Sequence, residues 1–140
     1  GSSFRHNPDY VIVGEVRGKE AYVLFQGMAS GHPSIGTIHA DSVDTVIKRL
    51  ESPPIELSPT LLNILDIVCV MTHLKDQDKN LRRLKELDEV ISVDQDTGNP
   101  DFNAAFKYDP LNDRIVPSQQ FYTCKFLVLM LLYNIYNIYR

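Results

Sequence analysis

The chain has 140 residues, of which 44% are hydrophobic and 23% are charged, and its formal net charge at pH 7 is -4. This composition is typical of a globular protein with one domain, or one domain and part of another, and it excludes an intrinsically disordered chain. The acidic balance and the absence of a stripe of Arg and Lys argue against nucleic acid as the main partner, because nucleic-acid binding needs a concentrated basic surface.

The first predicted element is a short strand over residues 10–13, an apolar run that favours a parallel strand covered on both faces. Glu15 and Arg17 follow this strand within the sequence Gly-Glu-Val-Arg-Gly. Ligands of open α/β sheets bind outside the carboxyl ends of the strands. Glu15 is therefore a candidate to orient a water molecule or to hold Mg²⁺, directly or through water, and Arg17 is a candidate to contact phosphate. The alternative is a surface acid–base pair at the start of a helix.

The next predicted elements are a helix over residues 19–30 and a strand over residues 36–39. Gly31 stands where a left-handed residue would end the helix. His32 and His39 flank the second strand, and each could hydrogen-bond a transferring phosphate or be an ordinary structural histidine. The histidines and cysteines of the chain lack the close spacing of a zinc site.

A phosphate-binding loop is not recognisable in the sequence. Residues 14–20 superficially resemble one, but they are one residue too short between the glycines, and Glu20 stands where Ser or Thr would have to reach the metal. No other Gly-Lys-Ser or Gly-Lys-Thr occurs in the 140 residues. We therefore expect no phosphate cradle in this chain.

Two further helices are predicted, one capped by Asp41 or Ser42 and one over residues 59–65 with Ser58 as its cap. After residue 66 the pattern changes to strands separated by polar turns, at residues 75–80, 94–100 and 109–113. The fold class expected from this order is α/β: a sheet with helices in residues 4–93, extended by β-hairpins and a terminal helix in residues 94–140.

Residues 126–139 form an almost wholly apolar or aromatic segment. It has about 14 residues, fewer than the roughly 20 that a membrane-spanning helix needs. We expect a helix that is buried or packed on a neighbouring subunit; a membrane-surface helix is the alternative, although this segment has no charged face. Cys69 lies in another apolar run and is expected in the core, and the wide spacing of the two cysteines and the absence of a signal peptide fit a reducing, cytoplasmic setting.

Taken together, these motifs resemble a known family over about residues 4–116. Residues 5–18 look like the Walker B segment of the type II/type IV secretion ATPases, and residues 31–41 look like their histidine box. Residues 46–55 are most similar to the archaeal branch, which drives the archaellum, type IV pili and related secretion systems, and the turns near residues 94–98 and 106–110 also resemble that branch.

The resemblance implies the Walker B side of a RecA-like P-loop ATPase core that uses ATP and Mg²⁺. Glu15 matches the Walker B glutamate, which is expected to activate the attacking water and help place Mg²⁺, and Arg17 matches the Walker B arginine. His32 and His39 match histidine-box positions, which are expected to sense the γ-phosphate. Arg49 matches a family arginine with an expected structural role.

The resemblance also implies a homo-hexameric ring in the cytoplasm, peripheral to the inner face of the membrane, beneath a polytopic membrane platform protein. The family's Walker A loop, which anchors the nucleotide, is not among these residues, so we expect the 140-residue chain alone to be inactive. The alternative function is a non-catalytic interaction module that binds a full-length subunit or the membrane platform.

Overall fold

The computed structural model describes residues 10–118, 120 and 129–133. Within these ranges the helices are α1 (Glu20–Ala29), α2 (Val43–Glu51) and α3 (Pro59–Leu62), and the strands are β1 (Val11–Val13), β2 (Ser34–Ile38), β3 (Ile67–Asp76), β4 (Lys79–Val93), β5 (Pro100–Asp109), β6 (Arg114–Pro117) and β7 (Leu129–Tyr133). None of the helices in this described part has the length and apolar character that a membrane span requires.

All of these strands join one sheet in the order β1-β2-β7-β3-β4-β5-β6. Strands β1, β2, β7 and β3 are parallel to one another, and β3 to β6 form an antiparallel meander. The α/β class expected from the sequence is confirmed. The sheet continues through the expected boundary between residues 93 and 94, because β4 pairs with β5.

The helix ends follow their sequence signals. Ser42 caps α2, and its Oγ accepts a hydrogen bond of 3.2 Å from the backbone N–H of Thr45. Ser58 caps α3, which has proline in its first turn. Gly31 follows α1 with φ of 85°, a left-handed conformation that glycine adopts without steric cost.

The core lies between the helices and the sheet. Helix α1 buries Leu24 and Phe25, and α2 buries Ile47 and Leu50, all of them fully. Helix α3 is tied to β4 by the side chain of Asn63, which donates to the Val93 carbonyl at 3.1 Å and accepts from the Val93 N–H at 2.7 Å. Helix α1 packs against β1 and β2, the strands whose ends carry the candidate site.

The expectation of a C-terminal helix is wrong for residues 129–133, which form β7 between β2 and β3. The other residues of the expected helix lie outside the described residues. A short apolar run fits a buried strand or a buried helix equally well by its periodicity. Here β2 and β3 supply main-chain hydrogen-bond partners on both sides of residues 129–133, and this tertiary pairing favours a strand.

Candidate functional site

The candidate site lies at the carboxyl ends of β1 and β2. Val13 of β1 is in register with Gly36 of β2. Beyond β1, the chain stays beside β2, because the N–H of Val16 donates a hydrogen bond of 2.7 Å to the Thr37 carbonyl. This extended loop brings Glu15, which follows β1, next to His39, the first residue after β2.

The carboxylate of Glu15 is contacted by two nitrogen-bearing side chains. Arg17 Nε lies 2.7 Å and His39 Nε2 lies 2.8 Å from Glu15 Oε1. The hydrogen bond from Arg17 is the main cause that lowers the pKa of the Glu15 carboxyl. Desolvation opposes it, and the charges of Arg17 and His39 lower the pKa further. Glu15 is therefore ionised at neutral pH, and 31% of its side-chain surface stays exposed, so water can reach it.

A pocket of about 550 Å³ opens beside Glu15. Its walls include Arg17, His39, Lys48 and Arg49. Three cationic side chains (Arg17, Lys48 and Arg49) against one carboxylate give these charged walls a formal balance of +2 with neutral histidine. A concave site with this balance attracts anions.

Glu20, the first residue of α1, closes the loop between β1 and α1. Glu20 Oε1 accepts hydrogen bonds from the backbone N–H of Arg17 and, at 2.7 Å, from that of Gly18. A carboxylate is stabilised at the start of a helix, and these hydrogen bonds lower the pKa of Glu20. Because Glu20 occupies both amides, these two N–H groups are not available to a phosphate in this conformation.

His32 lies at the opposite end of β2 from Glu15. It precedes β2, and its N–H donates a hydrogen bond of 3.0 Å to the Gly27 carbonyl at the end of α1. Strands β1 and β2 are parallel, and the five residues of β2 span about 17 Å. The fold therefore brings together Glu15, Arg17 and His39 but not His32, whose role at the ligand stays a prediction.

Glu15 is suited to Mg²⁺ that is bound together with a phosphate. In the described part of the chain, no group of three or more His, Cys, Asp or Glu side chains could hold a metal ion. Mg²⁺ needs fewer protein ligands than zinc, because it is usually bound by one or two carboxylates together with phosphate oxygens and water. An ionised, partly exposed carboxylate at the edge of a cationic pocket fits this requirement.

Sequence reasoning missed one wall of the pocket. Thr45, Lys48, Arg49 and Ser52 line it together, and their spacing of i, i+3, i+4 and i+7 places them on one face of α2 and its end. This periodicity was readable in the sequence as a polar face, but only the packing of α2 shows that the face borders Glu15.

Comparisons with known proteins point to one family. A family model described as "Type II/IV secretion system protein" matches residues 2–99. An uncharacterized protein of Methanocaldococcus jannaschii is 36% identical over 112 residues, which are 80% of this chain and 42% of that protein.

Two relatives with assigned names are also similar to this chain. Type II secretion system protein E of Pectobacterium carotovorum is 36% identical over 76 residues, which are 51% of this chain and 15% of that protein. Conjugal transfer protein TrbB of Rhizobium radiobacter is 34% identical over 89 residues, which are 61% of this chain and 27% of that protein. The chain therefore spans less than half the length of each of these three relatives.

Proposed function

Because this chain belongs to the type II/IV secretion system protein family, we propose that it is the Walker B and histidine-box part of an ATPase that powers secretion or the assembly of a related filament. The observation that carries the proposal is the position of Glu15: its ionised carboxylate lies at the carboxyl end of a parallel strand, 2.8 Å from His39, at the edge of a cationic pocket. This is where open α/β sheets bind their ligands.

In this proposal Glu15 acts on the water that attacks the terminal phosphate. Phosphoryl transfer needs positioning and charge stabilisation more than covalent chemistry from the protein. The contact with Arg17 fixes the carboxylate, while its exposed surface remains available to accept a hydrogen bond from water. Mg²⁺ held in part by Glu15 would neutralise charge on the phosphate oxygens. Lys48 and Arg49 contribute positive charge on the facing wall.

His39 has the geometry of a coupling residue. It touches Glu15 and directly follows β2, so it joins the ends of two neighbouring strands. A change of charge at the phosphate would alter the balance of attractions at this contact and thereby shift β2 relative to β1. We propose that this is how hydrolysis is passed to the rest of the subunit.

The finer features of the proposal rest on the family resemblance. They are ATP as the nucleotide, a RecA-like core, a homo-hexameric ring, a cytoplasmic position at the inner face of the membrane and a polytopic membrane platform as partner. Similarity in residues 46–55 and the Methanocaldococcus jannaschii relative support the archaeal branch, with a role in archaellum, type IV pilus or secretion.

The deciding experiment changes Glu15→Gln in the complete protein that carries this sequence. We expect turnover of ATP to fall about 100-fold or more, because the amide has no charge to act on water or metal, while ATP binding is kept. Glu56→Gln, a change at an exposed glutamate of the loop after α2, is the matched control. Unchanged turnover in Glu15→Gln, with Glu56→Gln also unchanged, would contradict the proposal.

A second candidate function, a non-catalytic interaction module, is favoured by one observation: Glu20 occupies the loop amides that a phosphate-binding loop would offer. If this function holds, the complete protein binds its membrane partner and hydrolyses no ATP. Measuring both properties in the same preparation separates the two candidates.

A further inference from the structure

Thr37, a residue of β2, contacts the loop that carries Glu15 at two points. Its Oγ1 donates a hydrogen bond to the Gly14 carbonyl, and its own carbonyl accepts the hydrogen bond of 2.7 Å from the N–H of Val16. Gly14 and Val16 are the residues on either side of Glu15. The main chain around Glu15 is therefore held on both sides by one residue of the neighbouring strand.

The ladder between β1 and β2 does not by itself account for the contact with Gly14. The last pair of this ladder is Val13 with Gly36, so Gly14 lies beyond the register. Valine or isoleucine would suit a strand at position 37 equally well by their β-branched shape, but neither has an O–H donor. The hydroxyl of Thr37 is therefore the group that ties the Gly14 carbonyl to β2.

Thr37 and His39 lie on one face of β2 and its continuation. Both are half-buried, whereas Gly36 and Ile38 are buried, and this alternation places the side chains of Thr37 and His39 on the same side. His39 contacts the Glu15 carboxylate at 2.8 Å, and Thr37 contacts the main chain just before Glu15. The same face of β2 therefore contacts both the backbone and the carboxylate of this loop.

The side-chain partners of Glu15 are less well fixed than its backbone. The side chain of Arg17 is 74% exposed, and an exposed ion pair holds its members only weakly. Val16, in contrast, is 3% exposed and belongs to the hydrophobic core cluster. The position of the Glu15 carboxylate therefore depends mainly on the main chain, which the core holds at Val16 and Thr37 holds at Gly14.

We propose that Thr37 is a positioning residue for Glu15: its hydroxyl fixes the main chain of the loop so that the carboxylate stays beside His39. The consequence for catalysis rests on the proposed function, in which Glu15 acts on the attacking water. Phosphoryl transfer depends on the accurate placement of the groups around the phosphate, so a looser loop slows turnover even when Glu15 is present. Thr37 is not one of the described residues that line the pocket, so it acts through Glu15.

The first experiment tests the contact itself, in the 140-residue chain without nucleotide. Thr37→Val keeps the β-branched shape and removes the hydroxyl, whereas Thr37→Ser keeps the hydroxyl. We expect the N–H of Val16, followed by NMR, to exchange with solvent about 10-fold faster in Thr37→Val and at nearly the original rate in Thr37→Ser. The N–H of Ile47, in the buried face of α2, should be unchanged. Thr72→Val, at a half-buried threonine of β3, is the matched control.

Two outcomes of this experiment would overturn the proposal. One is an unchanged exchange rate of the Val16 N–H in Thr37→Val, which would mean that the hydroxyl does not hold the loop. The other is an equal acceleration at Val16 and Ile47, which would mean that the substitution loosens the whole chain rather than the loop.

The second experiment measures ATP turnover in the complete protein. We expect Thr37→Val to lower kcat about 10-fold with little change in KM for ATP, and Thr37→Ser to keep most of the activity. In a protein that already carries Glu15→Gln, Thr37→Val should cause no further loss, because the carboxylate that it positions is gone. A purely structural role would lower turnover by the same factor in both backgrounds, and that result would contradict the positioning role.

The two experiments separate this inference from the proposed function. If Glu15→Gln lowers turnover and Thr37→Val does not, the proposed function stands and the positioning role is wrong. If Glu15→Gln itself leaves turnover unchanged, the proposed function fails. The exchange rate of the Val16 N–H then decides by itself whether Thr37 holds the loop.

Discussion

The neighbours of Glu15 lower the pKa of its carboxyl, whereas burial opposes this change. The guanidinium of Arg17 and the imidazole of His39 both lie within 2.8 Å of the same carboxylate oxygen. Since the pKa of Glu15 is lowered, the contacts of its carboxylate are complete above pH 4.5, its ordinary value, and are lost as the pH falls through the lower pKa of the folded protein. The site is therefore fully assembled at neutral pH.

His39→Ala in the complete protein tests the coupling role. If Glu15 acts as proposed, we expect ATP turnover to fall about 10-fold or more while ATP binding changes less, because His39 touches the Glu15 carboxylate. His73→Ala, a change on β3, is the control. Equal losses of turnover and thermal stability in His39→Ala would assign this histidine a structural role instead.

Asp88 is a buried acid on β4. It is fully buried, and neither of its carboxylate oxygens has a hydrogen-bond partner among the described residues. Burial, and secondly the negative charge of Glu86, raises the pKa of Asp88 to about 8. The acid is thus largely protonated at neutral pH. Burial also raises the pKa of the nearby Cys69 thiol to about 11, so this cysteine is an unreactive core residue, as the sequence predicted.

Asp88→Asn should change how stability depends on pH. The unfolded chain releases the proton of Asp88 near pH 3.8, whereas the folded chain keeps it to about pH 8, so this group makes the protein less stable as the pH rises between these values. Asparagine cannot titrate, and we expect a flatter profile of urea midpoints from pH 5 to pH 8. Asp96→Asn, in an exposed turn, should keep the original slope; an equally steep slope in Asp88→Asn would disprove this role.

At the scale of elements, β2 is positioned by its close approach to α1. A Cβ added at Gly36 would lie 2.7 Å from Cδ2 of Leu24 and 3.4 Å from Cγ2 of Val16. Leu24 is fully buried in the core cluster, so it has little room to move away. The absence of a side chain at Gly36 lets α1 lie against β2, the strand that His39 follows.

Gly36→Ala should therefore destabilise the chain by about 1–3 kcal/mol, the usual cost of overpacking a filled core. The midpoint and slope of urea unfolding measure this change. Gly14→Ala is the matched control, because a Cβ there meets no atom within 4 Å. If both variants unfold at the same urea concentration, the contact between α1 and β2 is looser than the structure indicates.

At the scale of the whole molecule, the candidate site would supply only part of the groups that the proposed hydrolysis needs. Glu15, Arg17 and His39 form a polar group beside a cationic pocket. The loop amides before α1 are occupied by Glu20, and the sequence contains no Gly-Lys-Ser or Gly-Lys-Thr. The nucleotide would therefore lack its main anchor in this chain.

The purified 140-residue chain should show no ATP turnover above that of its buffer. Phosphate release measured over hours at saturating ATP and Mg²⁺ checks this expectation, with Glu15→Gln as the control for contaminating enzymes. Turnover that is present in the unmodified chain and lost in Glu15→Gln would show that these residues bind and hydrolyse ATP without a Walker A loop.

The sequence by itself determined the local features: the strand before Glu15, the caps Ser42 and Ser58, and the left-handed Gly31. These depend on hydrophobic period and on backbone preferences within a few residues, so the chain nearby is enough to predict them. The site was predicted to the extent that Glu15 and His39 follow strands, because side chains at strand ends leave the buried layer.

Only the tertiary structure decided which of these residues meet. The parallel register of β1 and β2 joins His39 to Glu15 and separates His32 from it, and the packing of α2 adds Lys48 to the pocket. The tertiary structure also shows that the apolar residues 129–133 form a strand between β2 and β3. Ladders and helix packing join residues far apart along the chain, and their free energy depends on partners that no local pattern contains.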